Sequence, residues 1–395
     1  MKGLRIALVH NLKPSRKDPS LPVDYYSECD SAKTVGTIRA ALEKNGHTVL
    51  PVEADNGLPV WLSRNPVDLV FNIAEGFEGE AREARVPALL ELMGIPCTGS
   101  GVLCLALALD KAKSKHLFRQ GGIPTPNFQL FSDPADSLDA RLKYPLIVKP
   151  NCEGSAKGIL ASSVVKDEPA LRRQVQRVFE AYGQEVLVEE YIEGTEITVG
   201  ILDGEVLPVL EIDFGGCGPS GEFFYSWRMK EFQGDEKLHL VPKFFCPARL
   251  SPEVTRAVQA VALRAARALG ARAVVRVDIR LSSDGIPYVL EVNPLPGMDP
   301  EESNLPIMVR AAGIPYEAFI QRLIEMTLER TPSSVPSSTN SVPIEAVPQS
   351  RALPGSGEPA PGQPGSPAVL AGRTGPRQRV RARNNDPMKE GNVGR

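Results

Sequence analysis

Up to about residue 330 the apolar positions fall into two rhythms. Short apolar runs rich in β-branched residues, RIALVHN (5–11), HTVLPVE (47–53) and DLVFNIA (68–74), predict strands. Between them, SAKTVGTIRAALEKNG (31–46) opens on a Ser cap, carries apolar residues at helical spacing and stops at Gly46, which predicts a helix. EARVPALLELMG (83–94) predicts another, with Pro87 in its first turn or at a kink. This alternation predicts a small parallel sheet over residues 1–105.

A second stretch, 106–185, begins with the helical DKAKSKHLFRQGG (110–122). The strands YPLIVKP (144–150) and GILASSVV (158–165) and the helix EPALRRQVQRVFEAYG (168–183) follow. In the third, 186–330, the strands are QEVLVEEYI (184–192), EITVGILDG (196–204), EVLPVLEI (205–212), ARAVVRVDIRLS (271–282) and PYVLEVN (287–293). They predict an antiparallel sheet crossed by the helix SPEVTRAVQAVALRAARALG (251–270). Two helical segments, SNLPIMVRAAG (303–313) and YEAFIQRLIEMTLER (316–330), close the region. Residues 331–395 then turn rich in Pro, Ser and Gly, with too little apolar content for a core, which predicts a disordered tail. Its end carries a basic cluster, Arg373, Arg377, Arg379, Arg381 and Arg383, read as solvated rather than as a nucleic-acid or lipid arm.

Composition narrows the class. Forty-five basic and 48 acidic side chains nearly cancel, which gives no reason to expect nucleic acid or a membrane surface as partner. No apolar run approaches the roughly 20 residues of a membrane-spanning helix, and the opening segment reads as a first strand, not a signal peptide. The six cysteines form no CxxC pair and read as reduced thiols. A soluble cytoplasmic enzyme is the expectation.

The chemistry concentrates in VLEVNPLPGM (289–298). Glu291 and Asn293, two residues apart on a strand, project from one face. RVDIR (276–280) sets Arg276, Asp278 and Arg280 on one face of another strand. Should the two pair across SSDG (282–285), Asp278, Glu291 and Asn293 converge. Three hard oxygen donors suit Mg²⁺ completed by substrate phosphates; a structural Arg–Asp–Glu ion-pair network fits equally well. Upstream, Lys149 ends an apolar strand, where an unpaired ammonium is costly and an anion is welcome. The following loop, NCEGSAKG, can turn backbone N–H groups toward phosphate, with Gly154 and Gly158 allowing close approach. EVLVEEYIEGTE (185–196) can offer backbone groups to an adenine edge and a carboxylate to a ribose. There is no Walker A loop and no strand–GxGxxG–helix unit.

Taken in order, DK (110–111), IVKPNCEGSAKGI, VEEYIEGTE, LPVLEI, FFCPARL, RVDIR and EVNPLPGM, with FNIAEG and GIPCTGSGVLCLALALDK before them, resemble the ATP-grasp superfamily. They are most similar to the D-alanine–D-alanine ligases, over residues 3–328. The resemblance implies a mixed α/β and α+β ATP-grasp fold with an N-terminal Rossmann-like βαβ domain (1–105), a small subdomain (106–185), a C-terminal subdomain (186–330) and the disordered tail. It implies an ATP- and Mg²⁺-dependent carboxylate–amine ligase, with two metal ions (Mn²⁺ a substitute), that forms a dipeptide through an acyl phosphate in cytoplasmic peptidoglycan-precursor synthesis. Its partners are small amino acids, and a homodimer is compatible. A ligase for other amino or hydroxy acids is the alternative, and a non-catalytic nucleotide-binding protein the third reading.

By the same resemblance Lys111 and Lys149 contact phosphates, and the loop with Ser155, Ala156 and Gly158 closes over them. Glu189 and the backbone of Glu190, Tyr191 and Ile192 flank adenine, Glu196 holds the ribose, and Lys230 reaches the γ-phosphate. Arg276 stabilises the oxyanion, and Asp278, Glu291 and Asn293 hold the metals. Glu28 anchors the first substrate's amine, while Ser303 and Asn304 correspond to the second substrate's carboxylate site. The chain departs from the family pattern in several places: NLKPSRKDPSLPVDYY intervenes before Glu28, and DPEE before Ser303-Asn304, where the family reads Ser-Leu, is one residue longer and more acidic. Glu75 stands where His is usual and Glu231 where Tyr is usual. Both would suit a substrate with an extra amine.

Overall fold

A computed structural model describes residues 3–331, so apart from Thr331 the expectation for the tail lies outside the described residues. Strands β1 (Arg5–His10), β2 (Thr48–Glu53) and β3 (Leu69–Asn72) pair in parallel in the order β2–β1–β3. Helix α1 (Ala32–Lys44) starts where the Ser31 hydroxyl accepts the Thr34 N–H at 3.0 Å. It buries Val35, Ile38 and Leu42 against Ile6 and Leu8 of β1. Helices α2 (Leu58–Arg64) and α3 (Arg85–Met93) follow, with Pro87 tolerated in the first turn of α3.

The stretch VLCLALAL forms α4 (Val102–Leu109), missed because an almost wholly apolar run shows no period of 3.6. Asp110 then caps α5 (Lys111–Gln120), accepting the Lys113 N–H at 2.9 Å. This sets Lys111 at the first helical position, where the helix dipole disfavours a cation.

The second sheet is antiparallel: β4 (Phe128–Phe131), β5 (Leu146–Pro150), β6 (Val164–Val165) and β7 (Val186–Glu190), in the order β4–β7–β5–β6. Two expectations are corrected here. Residues 186–190 join this sheet, not the third. They form a central strand buried on both faces, Val186 and Val188 packing with α6 (Glu168–Tyr182) and Leu187 with Ala112 and Phe128. GILASSVV is not a strand throughout. Its middle is a 3₁₀ turn, Ala161–Ser163, in which the buried Ser163 hydroxyl bonds both the Leu160 N–H and the Gly158 carbonyl.

The third sheet is antiparallel as expected. It contains β8 (Gly194–Leu202), β9 (Glu205–Val206), β10 (Leu210–Asp213), β11 (Lys243–Phe245), β12 (Val274–Ser282) and β13 (Pro287–Asn293). The order is β11–β10–β8–β12–β13, with β9 on β8. A short helix α7 (Trp227–Glu231) lies between β10 and β11. Helix α8 (Pro252–Ala268) covers one face through Val258, Ala262 and Ala265, packed with Val275, Val277 and Val289. On the other side α9 (Asn304–Ala311) and α10 (Tyr316–Arg330) join the core of the first sheet, where Leu305, Phe319 and Leu323 pack with Leu210 and Phe71. Among the described residues no helix is long and apolar enough to cross a membrane.

Candidate active site

β12 and β13 bring the carboxylates together. Asp278 is paired with Glu291 and Arg276 with Asn293, and a register shift follows immediately after Asp278. Arg276 grips Asp278 with two bonds, Nε to Oδ1 at 2.9 Å and Nη2 to Oδ2 at 2.8 Å, and the Asn293 amide donates to Oδ2 at 3.1 Å. The ion pairing allowed by the sequence is therefore present. Glu291 faces the Lys111 ammonium at 3.4 Å. Burial opposes its ionised form, but Lys111, Lys149, Lys230 and Arg276 outweigh it and hold the carboxyl well below the usual range. Among the described residues no three His, Cys, Asp or Glu side chains cluster at metal-binding spacing. The donor set is two carboxylates and the Asn293 carbonyl, whose amide nitrogen is directed at Asp278.

Lys149, on β5, meets Glu189 of the neighbouring β7 at 2.5 Å. Both side chains are buried, and they line a cavity of about 100 Å³ with Lys111, Ala156, Tyr191, Ile192, Glu196, Lys230, Asp278 and Glu291. The loop after β5 is tightly shaped. Ser155, Ala156 and Gly158 all have positive φ, and a Cβ at Gly158 would lie 2.7 Å from the Pro150 ring. At the far wall the Glu190 carboxylate is occupied by Asn127 and the Lys143 N–H, and the N–H groups of Glu190 and Tyr191 by the carbonyls of Asn127 and Pro145. Of the three backbone N–H groups, only that of Ile192 has no partner among the described residues. Arg280, placed by the sequence on the strand face of Asp278 but given no role there, ties this wall together. It bonds the Ile192 carbonyl at 3.1 Å, Glu196 at 2.9 Å and the Tyr191 hydroxyl at 2.8 Å. Burial still leaves the Glu196 carboxyl above its usual range.

A second cavity, of about 470 Å³, adjoins the first, and the two share Lys111, Glu153, Tyr225, Lys230 and Glu291. Lys230, on α7, forms no ion pair among the described residues; its ammonium lies 5.1 Å from the Tyr225 ring centre. Burial, reinforced by Arg276, holds its pKa below the ordinary lysine value. The arrangement places an unpaired ammonium where two cavities meet.

The chain matches the family model described as D-ala D-ala ligase C-terminus over residues 117–325. It is 39% identical over 297 residues to a D-alanine–D-alanine ligase of Gloeobacter violaceus, covering 74% of this chain and 92% of the relative. The crystal structure of the D-alanine–D-alanine ligase from Bacillus anthracis complexed with ATP superposes with a TM-score of 0.65 at 30% identity, over 83% of this chain and 98% of that one. The VanG D-Ala:D-Ser ligase of Enterococcus faecalis shares the fold at a TM-score of 0.63 and 23% identity. The chain belongs to the D-alanine–D-alanine ligase family. It is an ATP-using, ADP-forming ligase of amino acids with the ATP-grasp fold.

In the ligase, the residues expected at the amino-acid sites all line the larger cavity: Glu28, Glu75, Glu231, Ser303 and Asn304. Their states differ. Glu28 is buried and heavily engaged, Oε1 accepting from Arg82 at 2.5 Å and from the Gly154 N–H at 2.6 Å, and Oε2 facing Lys157 at 3.2 Å. Burial opposes its charge, and Arg82 and Lys157 keep it ionised. Neither cation was singled out from the sequence; both lie far along the chain from Glu28, and only the fold joins them. Glu75 has no ion-pair partner among the described residues, and burial with Glu28 and Glu83 beside it raises its pKa well above the ordinary value. Glu231 is already matched by Lys13 at 3.1 Å and Lys17 at 3.6 Å. Ser303 accepts the Asp299 N–H at 3.1 Å, and Asn304 opens α9 with a buried Oδ1 that has no hydrogen-bond partner among the described residues.

Proposed function

We propose that the ligase joins two molecules of D-alanine, the reaction for which the Gloeobacter violaceus relative is named, and that it does so in cytoplasmic peptidoglycan-precursor synthesis. The observation that carries this reading is the shared wall between the two cavities, formed by Lys111, Glu153, Tyr225, Lys230 and Glu291. A group held there is reachable from both sides. In this reading ATP occupies the smaller cavity, with adenine at Ile192 and beside Glu189, ribose at Glu196 and phosphates between Lys111, Lys149 and the loop of Ser155, Ala156 and Gly158. The amino acids occupy the larger one. Glu28 orients the loop over the first amino acid, Glu75 faces it, and the end of α9 at Ser303 and Asn304 receives the second carboxylate.

A carboxylate oxygen of the first amino acid attacks the γ-phosphorus, and the bond to the bridging oxygen breaks as ADP departs. The second amine attacks the acyl carbon, loses a proton, and the tetrahedral centre collapses with release of phosphate. Lys230 neutralises the transferring group, and Arg276 stabilises the oxyanion, swinging from Asp278. Asp278, Glu291 and Asn293 are all hard oxygen donors on adjoining strands and fit Mg²⁺, two ions by analogy with the family, with Mn²⁺ as a substitute. The metal would neutralise phosphate charge.

The test is phosphate release with ATP and Mg²⁺ against a panel of D- and L-amino acids. D-alanine is expected to stimulate release most strongly, with chelation abolishing it. Release stimulated only by another amino or hydroxy acid would overturn the D-alanine assignment, and ATP binding without turnover on any acid–amine pair would overturn catalysis.

A further inference from the structure

Lys115 has no part in the reading above, yet it is the most deeply buried cation near the nucleotide cavity, with 0% of its surface exposed. Its ammonium lies 2.8 Å from Glu189 Oε2 and donates to the Thr125 hydroxyl at 2.9 Å, and that hydroxyl donates to the Val289 carbonyl at 2.8 Å. One side chain thus links α5, the second sheet through β7 and the third sheet through β13. The other oxygen of Glu189 holds Lys149 at 2.5 Å. Glu189 is itself 1% exposed and cannot turn to water.

We propose that Lys115 is a positioning residue for nucleotide binding: it neutralises Glu189 from behind, so that Lys149 can give its ammonium to phosphate. This rests on the placement of ATP above. With Lys115 present, two ammonium groups share one carboxylate, and the cluster keeps one net positive charge. A phosphate can then draw Lys149 away without leaving Glu189 unpaired. With Lys115 removed, Lys149 is the one counter-charge left to Glu189 among the described residues, and separating them strands a buried carboxylate. Thr125 and Val289 fix the ammonium, so it does not follow the phosphate.

The experiment measures the affinity for MgADP by calorimetry, together with KM for ATP and kcat. Lys115→Met is expected to weaken MgADP binding and raise KM for ATP roughly tenfold or more, with a much smaller change in kcat. Adding Glu189→Gln to that variant is expected to recover most of the loss, since no carboxylate then competes for Lys149. A purely structural role would not produce that recovery. Wild-type affinity in Lys115→Met, or a loss that Glu189→Gln leaves in place, overturns the proposal. If Lys115→Met does not fold, Glu189→Gln is compared with and without Lys115→Met: equal affinities are expected, and a further loss overturns the idea. A wild-type protein that binds no MgADP would instead overturn the nucleotide site itself.

Discussion

Asp278 and Glu291 sit opposite one another on adjoining antiparallel strands. Like charges directly across a sheet repel, and each here is compensated separately, Asp278 by Arg276 and Glu291 by Lys111. Such a pair is tolerable only beside cations, which fits the metal and phosphate site proposed above. Glu291→Ala is therefore expected to cut kcat by about a thousandfold or more while leaving the circular dichroism spectrum unchanged. Wild-type turnover in this variant would sink the site assignment.

Lys230 carries a desolvated ammonium with no carboxylate partner among the described residues. Removing it relieves a burial cost, so Lys230→Met is expected to stabilise the fold by about 1 kcal/mol and to lower kcat by about a hundredfold. Thermal melting and phosphate release on the same preparation check both halves. A drop in melting temperature would show that the lysine is structurally paired.

Arg82 bonds the Cys152 carbonyl and pairs with both Glu28 and Glu153 in a buried cluster that also holds Glu75 and Glu83. Breaking a buried pair strands its partner, at about 3–5 kcal/mol. Arg82→Met is expected to lose stability of that order in urea. Glu28→Gln in the same background is expected to restore part of it.

Burial, reinforced by the neighbouring Glu53 and Asp299, pushes the Asp30 carboxyl up from its ordinary value of 3.8 to about 7. Between those pH values the folded state holds a proton that the unfolded state has lost, so this group's contribution to stability falls as pH rises from about 4 to 7. The loss approaches about 4 kcal/mol as a ceiling. Asp30→Asn is expected to raise the melting temperature at pH 8 and to have little effect near pH 4. An equal effect at both would refute the shift.

Among the described residues, the two cavities are lined by positions up to Asn304. A chain ended at Thr331 is accordingly expected to keep its turnover and melting temperature. A large loss of either would assign the segment beyond it a role in the site.

The sequence by itself determined the order of the motifs and the donor chemistry of the residues proposed to hold metal and phosphate. Those positions lie on short apolar strands or beside glycine turns, so spacing alone shows which side chains share a face: Arg276 with Asp278, Glu291 with Asn293. It also carried the antiparallel character of the third sheet. Tertiary structure alone decided which sheet receives Val186–Glu190, because a strand buried on both faces has no polar side to reveal its neighbours. It decided likewise which charges meet. Glu28 and Lys157 are 129 residues apart, and Lys115 reaches Glu189 only because α5 packs against the second sheet. A local pattern records whether a side chain is buried; its counter-charge comes from whichever distant segment the fold places against it.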